Sequence, residues 1–147
     1  MKNGIEFLET GTATLAEAVC RTAAKLYQQG KRVYVLAPTQ AEAVRLNELM
    51  WTFDDQSFVP HDLWQGGGQG EDPVVVGWAA DTNPNDAETL LLAGARPVGD
   101  LIASAALFSS ILDFVPQWDE AEKRAARERF RGFREAGLNP VFKGAKR

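Results

Sequence analysis

The chain has 147 residues, 45% hydrophobic and 24% charged, with a formal net charge of −4 and one cysteine. That length suits one domain with a sizeable core, the composition is that of an ordered globular protein, and a lone Cys20 excludes an internal disulfide. Residues 1–10 lack the apolar stretch of a signal peptide and no run approaches the roughly 18 apolar residues of a membrane helix, so a reducing, cytoplasmic setting without membrane contact is expected.

In chain order, Ile5, Phe7 and Leu8 form a short apolar run before Thr10-Gly11 and predict a first strand over about 3–9. Thr14 then precedes Leu15, Ala18, Val19, Ala23 and Leu26 at helical spacing. Glu17 stands three residues after Thr14, as in a capping box, and Gly30 supplies a stop. The β-branched run over 33–37 reads as a buried strand. Thr39 caps a second helix whose apolar side carries Ala43, Val44, Leu46, Leu49 and Met50. Residues 51–73 read as a loop-rich aromatic stretch (Trp51, Phe53, Phe58, Trp64) that closes on Gly66-Gly67-Gly68-Gln69-Gly70. Strands at Val74-Val75-Val76, 89–93 and 107–115 follow. A polar loop around Asn83-Pro84-Asn85 and a short helix within 97–106 separate them. Asp119 opens a last helix that runs to about Ala136 and stops at Gly137. The alternation predicts an α/β fold: a single domain over 1–147 with a mostly parallel, doubly wound, Rossmann-like sheet flanked by helices.

Such a sheet invites a search for a nucleotide site, and the sequence offers none. A dinucleotide fingerprint needs Gly-x-Gly-x-x-Gly after the first strand, whereas Glu9-Thr10-Gly11-Thr12-Ala13-Thr14 holds one glycine. The glycine run at 66–70 is followed by Glu71-Asp72, which would repel phosphate, and reads as a flexible loop. His61 and Cys20 are each alone of their kind, too few for a tetrahedral zinc site without carboxylate help. Cys20 lies on the apolar pattern of a helix and reads as a buried, inert thiol. His61-Asp62 lacks a nucleophile elbow to serve and reads as a structural or interface histidine. No catalytic residue, cofactor or metal is therefore assigned; a small nucleotide-dependent or hydrolytic α/β enzyme stands as the alternative.

The charge is uneven. From residue 121 onward nine Lys/Arg face three acids, a net +6, so residues 1–120 carry −10. An acidic body argues against direct DNA binding, and a basic end argues for one local anionic partner. Lys123, Arg127, Phe130, Arg131 and Arg134 fall on one stripe of the last helix. The stripe suits an acidic peptide carrying an apolar residue, because arginine grips a carboxylate with two parallel hydrogen bonds. On charge pattern alone the solvated helix face is favoured, with Phe130 turned to the core beside Ala126, Phe133 and Gly137. The aromatics between 51 and 64 likewise read either as an interface or as core covering a sheet edge.

Several segments together resemble the chi-subunit family of bacterial DNA polymerase III, a small clamp-loader component. They are Met1-Lys2-Asn3 with the following strand, Gly30-Lys31-Arg32-Val33, and Arg45-Leu46 with Glu48-Leu49 and Trp51. Ser57-Phe58-Val59-Pro60-His61, Asp113-Phe114-Val115-Pro116, Ala126-Arg127-Glu128-Arg129-Phe130 and Gly137-Leu138-Asn139 complete the set. The resemblance implies a non-catalytic bridging subunit. One surface would bind the psi subunit of the clamp loader, through Trp51 and Phe58. Another would bind the acidic tail of single-stranded DNA-binding protein, which ends in an aromatic residue with a free carboxylate. Lys123, Arg127 and Arg131 fall on the family's basic positions and Phe130 on its aromatic one. Phe130 stands where the family often has Tyr, and Arg131 where Lys is familiar. The loop at 79–86 and the end at 140–147 look divergent and carry no functional reading. A repair helicase is a further candidate partner.

Overall fold

The computed structural model describes residues 4–54 and 58–143. Asn3 of the first strand, the Met1-Lys2-Asn3 segment, Asp55, Ser57, Lys146 and Arg147 lie outside the described residues. Among the described residues seven strands and four helices follow in the order β1 (Gly4–Glu9), α1 (Leu15–Gln28), β2 (Val33–Leu36), α2 (Gln40–Thr52), β3 (His61–Leu63), β4 (Val74–Gly77), β5 (Thr89–Leu92), α3 (Val98–Ala105), β6 (Ser110–Val115), α4 (Glu120–Glu135) and β7 (Pro140–Lys143), with β3, β4 and β5 joined without a helix between them. They build one sheet in the order β3-β4-β2-β5-β6-β1-β7, and every described pairing is parallel.

A strand's side chains alternate between faces, so a fully buried strand feeds two cores. Val33, Val35 and Ala37 pack with Val19, Ala23, Leu46 and Met50 under α1 and α2. Tyr34 and Leu36 point the other way, toward Leu101, Ala105, Ala126 and Phe133 under α3 and α4. The sheet is thus covered on both faces, as parallel sheets require.

The helix ends follow their local signals. Thr14 accepts from the Glu17 amide while the Glu17 carboxylate accepts from the Thr14 amide, a complete capping box. Thr39 accepts from the Glu42 amide, and Asp119 accepts from the Ala121 and Glu122 amides. Gly137 stops α4 at φ +88°, where the Leu138 amide returns to the Phe133 carbonyl and the Gly137 amide to the Arg134 carbonyl.

Several differences from the sequence reading bear on function. The second helix continues to Thr52, so Trp51 projects from a helix rather than a loop. The stretch read as loop-rich contains β3, and the end at 140–147, read only as divergent, contains β7. The strand expected over 107–115 begins at Ser110, because the Leu107 and Phe108 amides still close turns on the Ser104 and Ala105 carbonyls. The polar loop at 83–85 is not merely a surface turn. Asn85 is fully buried, and its amide donates to the carbonyls of Val33, Asp72 and Pro73.

Candidate docking sites at the two sheet edges

At one end of the sheet, β1, β6 and β7 run beneath α4. The turn after β6 leads into α4, which begins at its Asp119 cap and lies back over these strands. A concave pocket of about 380 Å³ opens there, within the range of small-ligand pockets of about 300–1,000 Å³. Its floor is apolar, formed by buried Phe7, Val115 and Ala126 with half-buried Phe130. Phe130 meets Phe7 edge-on at 5.2 Å between ring centres, and the Arg134 guanidinium lies 5.4 Å from the Phe130 ring centre. Lys123 and Arg127 stand on the α4 rim. Lys123 is tied loosely to Glu120 at 3.4 Å, whereas Arg127 makes no ion pair with another described residue. On the opposite rim the Gln117 amide donates to the Glu9 carboxylate at 2.7 Å.

The structure therefore brings Lys123, Arg127 and Phe130 into one pocket. It does not bring Arg131 with them. Arg131 lies further round the helix, pairs with Glu128 at 3.4 Å, and borders a separate groove against Val98 and Ile102 of α3. Phe130 satisfies both readings of its sequence at once, packed on Phe7 yet open to the pocket. Arg129, two residues from Arg127, is buried and clamps Asp113 of β6 through bonds of 2.6 and 3.0 Å. That clamp fixes the roll of α4 and so aims Arg127 and Phe130 at the pocket. Burial pushes the Asp113 carboxyl up, against the pull of the Arg129 guanidinium and the Phe114 amide.

At the other end of the sheet, Trp51 and Phe58 are 55% and 68% exposed. Their rings lie 6.0 Å apart, and Trp51 also sits 4.3 Å from the ring of His61. His61 is buried; its Nδ1 and Nε2 lie 2.7 and 2.9 Å from the carbonyl oxygens of Val59 and Asn47, which ties β3 to α2. Asp62 accepts from the Leu63 amide rather than from His61. The aromatic stretch thus divides: Phe53 and Trp64 pack partly into the two cores, while Trp51 and Phe58 form an exposed pair on a fixed base.

Comparison with known proteins places the chain. A family model for the DNA polymerase III chi subunit, HolC, matches residues 1–141. The chain belongs to that family. It is 33% identical over 129 residues to the DNA polymerase III subunit chi of Escherichia coli (strain K12), covering 88% of this chain and 84% of that one. It is 34% identical over 131 residues to the subunit of the same name from Haemophilus influenzae, covering 89% and 88%. Among solved structures, the C-terminal domain of the DEAD-box protein Dbp5 superposes with a TM-score of 0.66 at 10% identity, over 97% of this chain and 90% of that one. T4 UvsW superposes with a TM-score of 0.67 at 10% identity, and this chain spans 41% of its length. At such identities these helicase domains share the chi-family fold and nothing more is carried across.

Two site features escaped sequence reasoning. The Asp113–Arg129 clamp joins residues on different elements, and nothing in the basic run marks one arginine as internal. Phe142 of β7 lines the pocket from a segment without periodicity or a recognised motif.

Proposed function

We propose that this chi-family chain is a non-catalytic subunit of the replicative DNA polymerase III assembly. It bridges the clamp loader, through psi, to the acidic tail of single-stranded DNA-binding protein. The observation that carries the reading is the pocket under α4, an apolar aromatic floor with two cations on one rim. A peptide that ends in an aromatic residue has both matching parts, a ring for the floor and a carboxylate for the cations. Arg127 takes the terminal carboxylate or the nearby acids, Lys123 assists on the same rim, and Phe130 holds the terminal ring; Arg131, which borders the separate groove against α3, is left to meet only acids further along the peptide. Trp51 and Phe58 supply the psi-facing surface, where exposed aromatics on a rigid base suit a hot spot. A repair helicase, the further candidate client, is assigned to neither surface. The −10 carried by residues 1–120 disfavours direct DNA contact.

The test is fluorescence anisotropy with a labelled peptide matching the tail of the organism's own single-stranded DNA-binding protein. The native chain should bind at roughly micromolar affinity and more weakly as salt rises. Arg127→Ala, or amidation of the peptide terminus, should weaken binding about tenfold or more, the scale of one lost charge-assisted contact. A peptide bound equally well by the native chain and Arg127→Ala would remove the tail from this pocket.

A further inference from the structure

The pocket has a wall that neither the motif on α4 nor the sequence pattern announces. β7 is the edge strand beyond β1, and Phe142 stands in register with Phe7. It therefore shares the sheet face of Phe7 and, on the side away from β6, borders the same cavity as Phe130. Phe142 is 51% exposed. Val141, its neighbour, is 52% exposed but in register with Glu6, on the opposite face. Lys143 is anchored to Glu6 at 3.3 Å. One strand thus carries two equally exposed apolar residues, only one of which lines the pocket.

Resting on the tail-binding reading above, we propose that Phe142 is the specificity-determining residue of this pocket. It forms a second aromatic wall that selects an aromatic over an aliphatic or small terminal side chain. The occupant follows from the lining: cations on the α4 rim fix a carboxylate, and a ring beside it lies between Phe130 and Phe142. Aromatic pairs favour edge or offset contact at about 4.5–7 Å, and the Phe7–Phe130 pair already adopts that geometry. A ligand ring extends the cluster and removes the exposed face of Phe142 from water.

The experiment uses one acidic peptide with three endings, Phe, Leu and Ala, titrated against the native chain, Phe142→Ala, Phe142→Leu and Val141→Ala. The native chain should prefer the Phe ending over Ala by about tenfold or more. Phe142→Ala should weaken the Phe-ended peptide about tenfold, in line with the loss of an aromatic contact and its buried area, and flatten the preference. Phe142→Leu keeps an apolar residue on the strand. It should lose the preference for Phe over Leu while still binding the Leu-ended peptide. Val141→Ala should match the native chain. Native discrimination between Phe and Leu endings in Phe142→Leu would overturn the inference even if Phe142→Ala fails to fold. Tail binding that survives Arg127→Ala and amidation would instead overturn the pocket reading, and this inference with it.

Discussion

Within one turn of α4, Arg127 faces solvent and Arg129 is 3% exposed, although the two look alike in sequence. The difference is made by Asp113, sixteen residues earlier on β6, whose carboxylate takes the two shortest Arg129 bonds. Removing one member of a buried pair strands the other charge at a cost of about 3–5 kcal/mol, whereas replacing both with apolar groups is often neutral. Asp113→Ala and Arg129→Ala should therefore each lower stability by about that amount in urea unfolding, while Asp113→Leu with Arg129→Met recovers most of the loss. Cys20 behaves as the opposite kind of buried group. Burial, reinforced by Glu17, pushes its thiol up to about 12, so almost no thiolate exists at neutral pH. Ellman's reagent should leave the folded protein unmodified for hours and react with it promptly in denaturant. The inert character of Cys20 was legible from its apolar helical position. The inward turn of Arg129 was not, because burial of a charge depends on a partner brought close only by folding.

Elements set by neighbouring residues were the legible ones. The caps at Thr14, Thr39 and Asp119 and the stop at Gly137 each need a few adjacent residues, and each is present. β3 and β7 were not legible. At three and four residues, with charged side chains among them, they hold their strand form by bonding to β4 and β1, which no local pattern encodes. The candidate site suffered the same division: its α4 residues could be read from a helical stripe, but its Phe142 wall rides on β7. The contact between α3 and α4 makes a further point about elements. Gly132 lies mid-helix, where alanine would ordinarily help by about 1 kcal/mol. A Cβ there would fall 2.7 Å from both Cγ atoms of Val98, and valine is stiff about χ1. Gly132→Ala should therefore destabilise by about 1–3 kcal/mol, as overpacking does, measured by thermal unfolding. It should also weaken tail-peptide binding by displacing α4, while Gly99→Ala, which meets nothing within 4 Å, leaves binding unchanged.

For the molecule as a whole, the sheet sets the distance between the two candidate surfaces. β3 and β1 are separated by five strand steps in the order β3-β4-β2-β5-β6-β1. At about 4.8 Å per step this places the Trp51–Phe58 pair roughly 24 Å from the pocket strands. The Debye length at physiological salt is about 8 Å, so charge at one site is screened from the other. The alternating α/β order and its two-sided core were readable from sequence, because they follow from apolar runs and helix signals along the chain. The placement of the two surfaces at opposite ends was not, because strand order is not chain order. The bridging proposal requires one chain to hold both partners at once. The most direct measurement is sedimentation velocity on this chain mixed with psi and intact single-stranded DNA-binding protein. A complex containing all three is expected, reduced to the chain with psi by Arg127→Ala and to the chain with the DNA-binding protein by Trp51→Ala with Phe58→Ala. Psi and the DNA-binding protein displacing one another, or one variant abolishing both contacts while still folded, would contradict it.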